Sequence, residues 1–445
     1  MLATRTLPDK SELSSVSERA VHYLISQVEE NGYISAAKDY WWYKPHWIRD
    51  SSWIAISLIR FARYYSGINS KLAQEALQSA DKIINFNVSV VRNRTGSMQK
   101  AIDTPYESPE FMRLSHRIPA RVGREGTLYF GDGINDTGEN DTTRSWLMQY
   151  DNIPLITLSI KERLSAFGST ESIRNFLSTN LETMLKYVGK TYIAECSNAW
   201  EVRTDMLHAY DIAAAHAFFR AAEYFADTGI TNITKSNIKE IETGIYRHNE
   251  NGEIKCAGPA EFLHDLFIKD SRLYANKRPN LSSPETNLGF DAEEIFIFTE
   301  FGLSGNLLGD GIEENTISAI KNELFSGHEL PIRFNDDTYF KGGRWLLLGL
   351  EMANYELSKG KIENAEKTVN YITERYKGSY PEQEIVDPAN PNTDMYDLYA
   401  ANGYKPIQDL AWSYAAMVNT TVKILEHYTG KDKEPEKMLV TMIRK

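Results

Sequence analysis

Apolar residues recur at helical spacing in twelve segments of the chain, and this pattern predicts twelve helices. The predicted helices cover residues 14–30, 49–66, 70–90, 152–167, 170–188, 205–228, 234–248, 287–301, 312–324, 343–358, 361–376 and 407–429. Even-numbered segments such as Ser52–Ile59 are apolar almost all round, whereas most odd-numbered ones, such as Lys361–Val369, carry a single apolar stripe. A helix that is apolar on every side is enclosed by others, and a striped helix lies outside.

This alternation predicts an all-α fold, an (α/α)6 barrel in which six parallel inner helices are surrounded by six outer helices. Neither a Pro/Gly/Ser-rich linker nor a low-complexity run interrupts the series, so residues 1–445 are expected to form a single domain. The longest stretch without a helical pattern, residues 95–150, is expected to pass over the barrel mouth.

Composition and charge narrow the possible partners. Aromatic residues make up 11% of the chain, with 8 Trp and 25 Tyr, which gives weak support for a sugar site because most such rings pack in the core. The net charge of −12 argues against a nucleic-acid partner. Residues 1–10 carry charge and Pro, no apolar run reaches membrane-spanning length, and there are only two cysteines. We therefore expect a cytoplasmic protein that does not bind a membrane.

Polar and aromatic residues cluster just before the inner helices. The clusters are Tyr43, Trp47, Arg49 and Asp50 before the second helix; Trp146, Gln149 and Asp151 before the fourth; Trp200, Glu201 and Arg203 before the sixth; Arg333, Asp337, Tyr339 and Trp345 before the tenth; and Glu382 and Gln383 before the twelfth. Since parallel inner helices start at the same end of the barrel, the clusters should converge on one mouth. A cleft lined by rings and a few polar groups suits a small polar ligand.

Two glutamates in these clusters have the chemistry to cleave a glycosidic bond, which needs one carboxylic acid and one carboxylate. Glu201 follows Trp200, whose ring would reduce solvation and raise the pKa of the acid. Glu382 follows Pro381 in a turn-rich segment where it is expected to remain ionised. A glutamate near a helix start is, taken alone, more often a surface residue that the helix dipole favours, and it is the joint pattern of the clusters that favours a catalytic role.

Structural alternatives exist for the other candidates. Arg49 with Asp50, and Arg333 with Asp337, are also compatible with plain salt bridges, and Trp47, Trp146 and Trp345 with core packing. His208 and His216 are expected to be core histidines. The acidic segment 132–141 suggests calcium but lacks the spacing of an EF-hand loop, so no metal is expected. Motifs for nucleotide or redox cofactors do not occur in the sequence, and no cofactor is expected.

The clusters, in this order, resemble glycoside hydrolase family 15, the glucoamylase-type enzymes, from about Tyr40 to His427. The resemblance rests on the stretches Tyr43–Asp50, Trp146–Asp151, Asn198–Glu201, Arg333–Trp345, Pro381–Gln383 and Asp409–Ala416. It implies an inverting, exo-acting α-glucoside hydrolase with Glu201 as general acid and Glu382 as general base. It also implies that Arg49 and Asp50 hold the terminal glucose, that Tyr43 and Trp47 lie against that ring, and that Arg333 faces the scissile bond.

One departure concerns the substrate. Fungal members carry a second acidic residue directly after the acid, where this chain has Val202, so a preference for α-1,4 linkages does not follow. We also expect no β-sandwich domain, starch-binding module or export signal. Soluble α-1,4- or α-1,6-glucooligosaccharides are the expected substrates, with an isomaltose- or dextran-type glucosidase, or a trehalase, as alternatives.

Two further hypotheses come from other classes of protein. One is a non-catalytic glucoamylase-like domain that binds a sugar or a protein, and the other is a lyase or uronyl hydrolase acting on acidic sugars. The presence of both Glu201 and Glu382 favours catalysis, because a binding module needs neither an acid nor a base. The sequence does not indicate linkage preference, chain-length preference or oligomeric state.

Overall fold

The structure is a computed structural model and describes residues 10–38, 43–105, 108, 111, 120–126, 149–194, 196, 199–200, 206–247, 254–277, 289–384, 401, 403 and 405–430. Five features singled out in the sequence lie outside the described residues, namely Trp146, Glu201, Val202, Arg203 and the acidic segment 132–141. In the described ranges, no helix is both long enough and apolar enough to cross a membrane.

Helices dominate the described residues, and the strands are only two or three residues long. The helices are α1 (Lys10–Gln27), α2 (Ile48–Tyr65), α3 (Ser70–Arg92), α4 (Thr95–Asp103), α5 (Asn152–Phe167), α6 (Glu171–Thr191), α7 (Ala209–Asp227), α8 (Lys235–Glu242), α9 (Pro259–Phe267), α10 (Glu294–Thr299), α11 (Gly305–Leu308), α12 (Ile312–Ile320, followed by a π-helical turn Lys321–Phe325), α13 (Leu346–Ser358), α14 (Ile362–Tyr376) and α15 (Ala411–Thr429). The strands form antiparallel pairs: β1 (His46–Trp47) with β2 (Arg121–Val122), β3 (Leu207–His208) with β8 (Asn276–Lys277), β4 (Ile245–Arg247) with β5 (Ile254–Cys256), β6 (Ile268–Lys269) with β7 (Arg272–Leu273), and β9 (Arg344–Trp345) with β10 (Gln383–Glu384).

Six of the helices close into a ring. Helix α2 packs on α5, α5 on α7, α7 on α10, α10 on α13, α13 on α15, and α15 back on α2. These are the six segments that the all-round apolar pattern assigned to the inner layer. The predicted all-α (α/α)6 barrel is therefore confirmed.

The outer helices bury one face each against this ring. Helix α1 packs on α15, α3 on α2, α9 on α7, and α14 on α13. In α3 the buried side chains Leu72, Ala76, Ile83 and Asn87 recur at spacings of four or seven residues, as one face of a helix requires. Helices α3, α6 and α8 begin with conventional side-chain caps, from Asn69, Thr170 and Thr234. Asn69, for example, accepts a hydrogen bond from the Leu72 amide.

Four inner helices begin in a different way. The residues before them, Trp47, His208, Trp345 and Leu410, are extended and provide no side-chain cap. The first helical amide instead donates to a backbone carbonyl of another segment. These bonds run from Ile48 to Ala120 (3.0 Å), Ala209 to Ala275 (2.8 Å), Leu346 to Glu382 (3.4 Å) and Ala411 to Ala36 (2.9 Å). Because free helix-start amides need partners, this arrangement ties distant loop segments to one end of the barrel.

Several predicted boundaries were wrong. The helix predicted over 287–301 spans only Glu294–Thr299, because Asp291 forms a β-bridge with Phe334 before the helix starts. The helix predicted over 234–248 ends at Glu242, and the β-branched and aromatic residues after Gly244 form β4 instead. Helices α4 and α9 were not predicted. Helix α9 has Pro259 in its first turn and is only nine residues long, which gives a weak periodic signal.

Part of the stretch 95–150 lies in the described residues. Helix α4 packs on the outer helix α6, and β2 pairs with β1 directly before the inner helix α2. The passage of the rest of this stretch over the mouth, and the extent of a single domain over residues 1–445, remain predictions.

Candidate active site

The backbone around Glu382 is held from three sides. Its amide donates to the Ile407 carbonyl at 3.0 Å, and its carbonyl accepts from the first amide of α13, that of Leu346, at 3.4 Å. The next residue, Gln383, pairs with Trp345 in the β9–β10 ladder. The loop before the last inner helix is thereby fixed against the start of the neighbouring one.

The Glu382 side chain is only 1% exposed and meets two phenols. The Tyr43 hydroxyl donates to its Oε1 at 2.5 Å, the Tyr339 hydroxyl lies 2.8 Å from that of Tyr43, and Tyr339 is 3.4 Å from Oε2. Tyr43 donates its one proton to Oε1, and the Tyr339 hydroxyl lies within reach of Oε2 and of the Tyr43 oxygen, so the two phenols enclose the carboxyl group.

Burial raises the pKa of Glu382 to about 7, against the opposing effects of the Tyr43 hydrogen bond, the Arg333 charge and the Tyr339 hydrogen bond. The sequence predicted this residue in a turn-rich loop where it would remain ionised. The structure instead buries it in a polar pocket. A carboxyl group whose pKa is near neutrality and which accepts O–H donors has the properties of a general base.

Arg333 lies beside this carboxyl group at the centre of an aromatic cluster. Its guanidinium makes two 2.7 Å hydrogen bonds to Asp337, so the ion pair considered from the sequence is present. It also lies 4.9 Å from the ring centroids of Tyr339 and Trp345 and 5.7 Å from that of Trp200. Both Asp337 oxygens accept from Arg333, and Oδ1 also accepts from the Tyr339 amide at 3.0 Å, so the carboxylate orients the guanidinium and ties it to the Tyr339 backbone.

Arg49 forms the other side of the network. It makes a buried ion pair with Asp151 and donates through Nη1 to the Ala199 carbonyl at 2.6 Å. Asp50, considered from the sequence as its possible salt-bridge partner, is buried in the first turn of α2. Gln149 is 3% exposed, and its backbone carbonyl accepts a hydrogen bond from the Asn152 side chain at 3.1 Å.

Trp47 contacts Tyr43, one of the two phenols that surround Glu382, and also Arg121. The Tyr43 and Trp47 rings are stacked with centroids 6.3 Å apart, and the Arg121 guanidinium lies 4.8 Å from the Trp47 centroid. Arg121 comes from β2, within the stretch predicted to pass over the mouth. The sequence did not single out this cation–π contact.

Two buried acids that the sequence analysis did not select hold the turn at Ala199 and Trp200. The Ala199 amide donates to Glu293 at 3.1 Å, and the Trp200 indole donates to Asp291 at 2.8 Å. Burial raises the pKa of Glu293 well above its usual range. The available signal was the run from Asp291 to Glu294, three acids directly before an apolar helix.

These contacts join most of the predicted site residues into one connected group. Tyr43, Trp47, Arg49, Trp200, Arg333, Asp337, Trp345 and Glu382 are linked by direct contacts or through one intervening residue. Asp50 and Gln149 are buried close in sequence to this group, and Trp146 and Glu201 lie outside the described residues. Within the described ranges, no cluster of His, Cys, Asp or Glu is arranged to hold a metal ion.

Sequence comparison identifies no relatives: neither a family model nor a curated protein matches the chain. Comparison of folds finds solved structures with a similar architecture. A wild-type glycosidase superposes with a TM-score of 0.69 at 17% identity, covering 94% of this chain and 99% of that one. A glucoamylase from Hormoconis resinae gives 0.56 at 14% identity, covering 93% of this chain and 73% of its own. A bacterial glucoamylase solved with acarbose gives 0.58 at 16% identity, covering 95% of this chain and 57% of its own. At these identities the similarity establishes a shared fold.

Proposed function

We propose that this protein is a glycoside hydrolase of the glucoamylase type that releases glucose from the non-reducing ends of soluble α-glucosides with inversion of configuration. The observation that carries the proposal is the buried Glu382 carboxyl group, hydrogen-bonded to Tyr43 and lying beside Arg333, at the mouth end of an (α/α)6 barrel. Solved proteins with a similar fold include glycosidases and glucoamylases, and one such glycosidase variant was solved in complex with glucose.

Glu382 would act as the general base. Tyr43 and Tyr339 hold its carboxylate by O–H donors, so a lone pair is left to orient and deprotonate a water molecule. A pKa of about 7 matches the task, because a base must be ionised and still bind a proton at working pH.

Glu201 would act as the general acid that protonates the leaving oxygen. This role rests on the family resemblance and on its position after Trp200. The Trp200 turn is anchored by Asp291, Glu293 and Arg49, so the segment leading to Glu201 starts from a fixed point.

The remaining polar groups would recognise the sugar. Arg49 and Asp50 would bind hydroxyls of the terminal glucose, and Arg333, oriented by Asp337, would face the scissile region. Trp47, Trp146, Trp200 and Trp345 would supply the ring faces against which a sugar packs, and Gln149 a further polar contact. We propose soluble α-1,4- or α-1,6-linked glucooligosaccharides, met inside the cell, as the substrates.

The direct test compares glucose release from maltose, isomaltose, trehalose, maltotriose and soluble starch by the purified protein. Glu201→Gln and Glu382→Gln serve as matched variants that keep the shape of each side chain. We expect glucose from at least one α-linked oligosaccharide and a loss of about 10²–10⁴-fold in each variant. Absence of turnover on every substrate, combined with tight sugar binding, would favour the non-catalytic binding domain instead.

A further inference from the structure

The residue that follows Glu382 in the chain is a buried glutamine that packs against a glycine. Gln383 is 2% exposed, and its carboxamide lies against the backbone of Gly343. A Cβ atom added to Gly343 would meet Gln383 Oε1 at 1.8 Å, Cδ at 2.6 Å and Cγ at 3.0 Å. The space that any other side chain would need at position 343 is therefore occupied by the residue that adjoins the proposed base.

Oε1 and Cδ lie below 3.0 Å and Cγ lies at that distance, so an added Cβ would require the Gln383 side chain to shift from Cγ outwards. Gly343 itself has an ordinary negative or extended φ, so alanine is compatible with its backbone. The requirement for glycine here comes from the neighbouring side chain and not from backbone strain.

The other side of the strand is also fixed. Glu384, the residue after Gln383, accepts a hydrogen bond from Tyr371 at 2.8 Å and pairs with Arg375 at 2.5 Å, both on the outer helix α14. Strand β10 is thus held between α14 and the segment at Gly343. A displacement of Gln383 would be passed to Glu382 through one peptide unit.

We propose that Gly343 is a positioning residue for Glu382: the absence of a side chain at 343 seats Gln383 and so sets the placement of the Glu382 carboxylate against Tyr43 and Tyr339. The inference rests on the proposed role of Glu382 as base. A misplacement of about 1 Å at a reacting group lowers turnover by about 10²-fold.

The test measures whether a second substitution rescues glucose release from maltose or the best substrate found. Gly343→Ala should lower kcat by about 10²-fold with KM changed by less than about threefold, because the base is displaced while the glucose-binding groups remain. Adding Gln383→Ala removes the clashing carboxamide and should restore kcat at least tenfold relative to Gly343→Ala. Gly96→Ala, at a glycine with open space around it, is the control and should be unchanged.

A second readout reports on Glu382 directly. In Gly343→Ala the acid limb of the kcat profile should move to higher pH, since the phenol donors that lower the Glu382 pKa are no longer in reach. The double variant should bring the limb back. Wild-type turnover in Gly343→Ala, or a loss that Gln383→Ala does not relieve, would overturn the proposal.

Failure of the proposed function gives a distinct result. If the wild type hydrolyses no glucoside, the Glu382 pKa is followed by NMR of glutamate-labelled protein, assigned with Glu382→Gln. Positioning by Gly343 then still predicts a pKa change in Gly343→Ala and its reversal in the double variant. If Gly343→Ala fails to fold, the double variant should fold, and its failure to do so would contradict the proposal.

Discussion

Glu382→Gln should make the protein more stable at alkaline pH while abolishing its activity. In the folded protein the pKa of Glu382 is raised from its ordinary value of 4.5 to about 7, mainly by burial. The folded state therefore binds this proton more tightly than the unfolded chain does. The corresponding stability is present in full below about pH 4.5 and is lost as the pH rises through about 7.

A pKa displaced from 4.5 to about 7 in a side chain that is 1% exposed corresponds to roughly 3 kcal/mol of unfolding free energy. Glutamine carries no charge at any pH, so the variant does not lose this contribution. The difference in stability between variant and wild type should therefore be larger at pH 8 than at pH 4.5 by up to about 3 kcal/mol.

The assay is urea unfolding, or thermal unfolding where urea unfolding is irreversible, of both proteins at the two pH values. Glu384→Gln is the matched control, because it makes the same chemical change two residues away. Glu384 is ion-paired with Arg375, so its replacement removes a stabilising contact of the carboxylate. The control should show no gain at pH 8. An equal difference between Glu382→Gln and wild type at both pH values would refute the assignment of a raised pKa to this carboxyl group.

Three further variants test the neighbouring contacts. The 2.5 Å hydrogen bond from Tyr43 lowers the pKa of Glu382, so its removal in Tyr43→Phe should raise that pKa. The acid limb of the kcat profile should move up by about one pH unit, and kcat should fall about tenfold. An unmoved acid limb would show that the contact does not act on Glu382. Asp337→Ala should release Arg333 and lower kcat/KM by about 10-fold or more, whereas an effect on thermal stability alone would mark the pair as structural. Asp50→Asn should impair turnover on every α-glucoside, and normal turnover would exclude it from the site.

The helical barrel was predictable because burial repeats along the chain. The inner helices are apolar almost all round and most outer helices carry a single apolar stripe, and that pattern indicates the layer in which a helix lies. The shortest inner helix, Glu294–Thr299, was predicted too long at its start, because the segment before it continues the helical spacing of apolar residues in the sequence. In the structure Asp291 in this segment forms a β-bridge with Phe334 and accepts a buried hydrogen bond from Trp200. Such pairing depends on Phe334 and Trp200, which no local pattern indicates.

The candidate site was partly predictable for the same reason. Residues before parallel inner helices must meet at one end, so the grouping of Tyr43, Arg333 and Glu382 followed from their positions. The pairwise contacts within the site could not be predicted from the sequence. That Arg49 pairs with Asp151, and that Glu382 is buried and not open to solvent, are results of tertiary packing.

The measurement that tests the central claim most directly is the configuration of the first product. Proton NMR of fresh α-glucoside hydrolysis, recorded before mutarotation, should show β-glucose first, because a base and an acid separated by ~6.5–9.5 Å admit a water molecule between the base and the anomeric carbon. The signal should be absent with Glu382→Gln. Appearance of α-glucose first would contradict the account and would make Glu382 a nucleophile, with the two carboxyl groups about 5–5.5 Å apart.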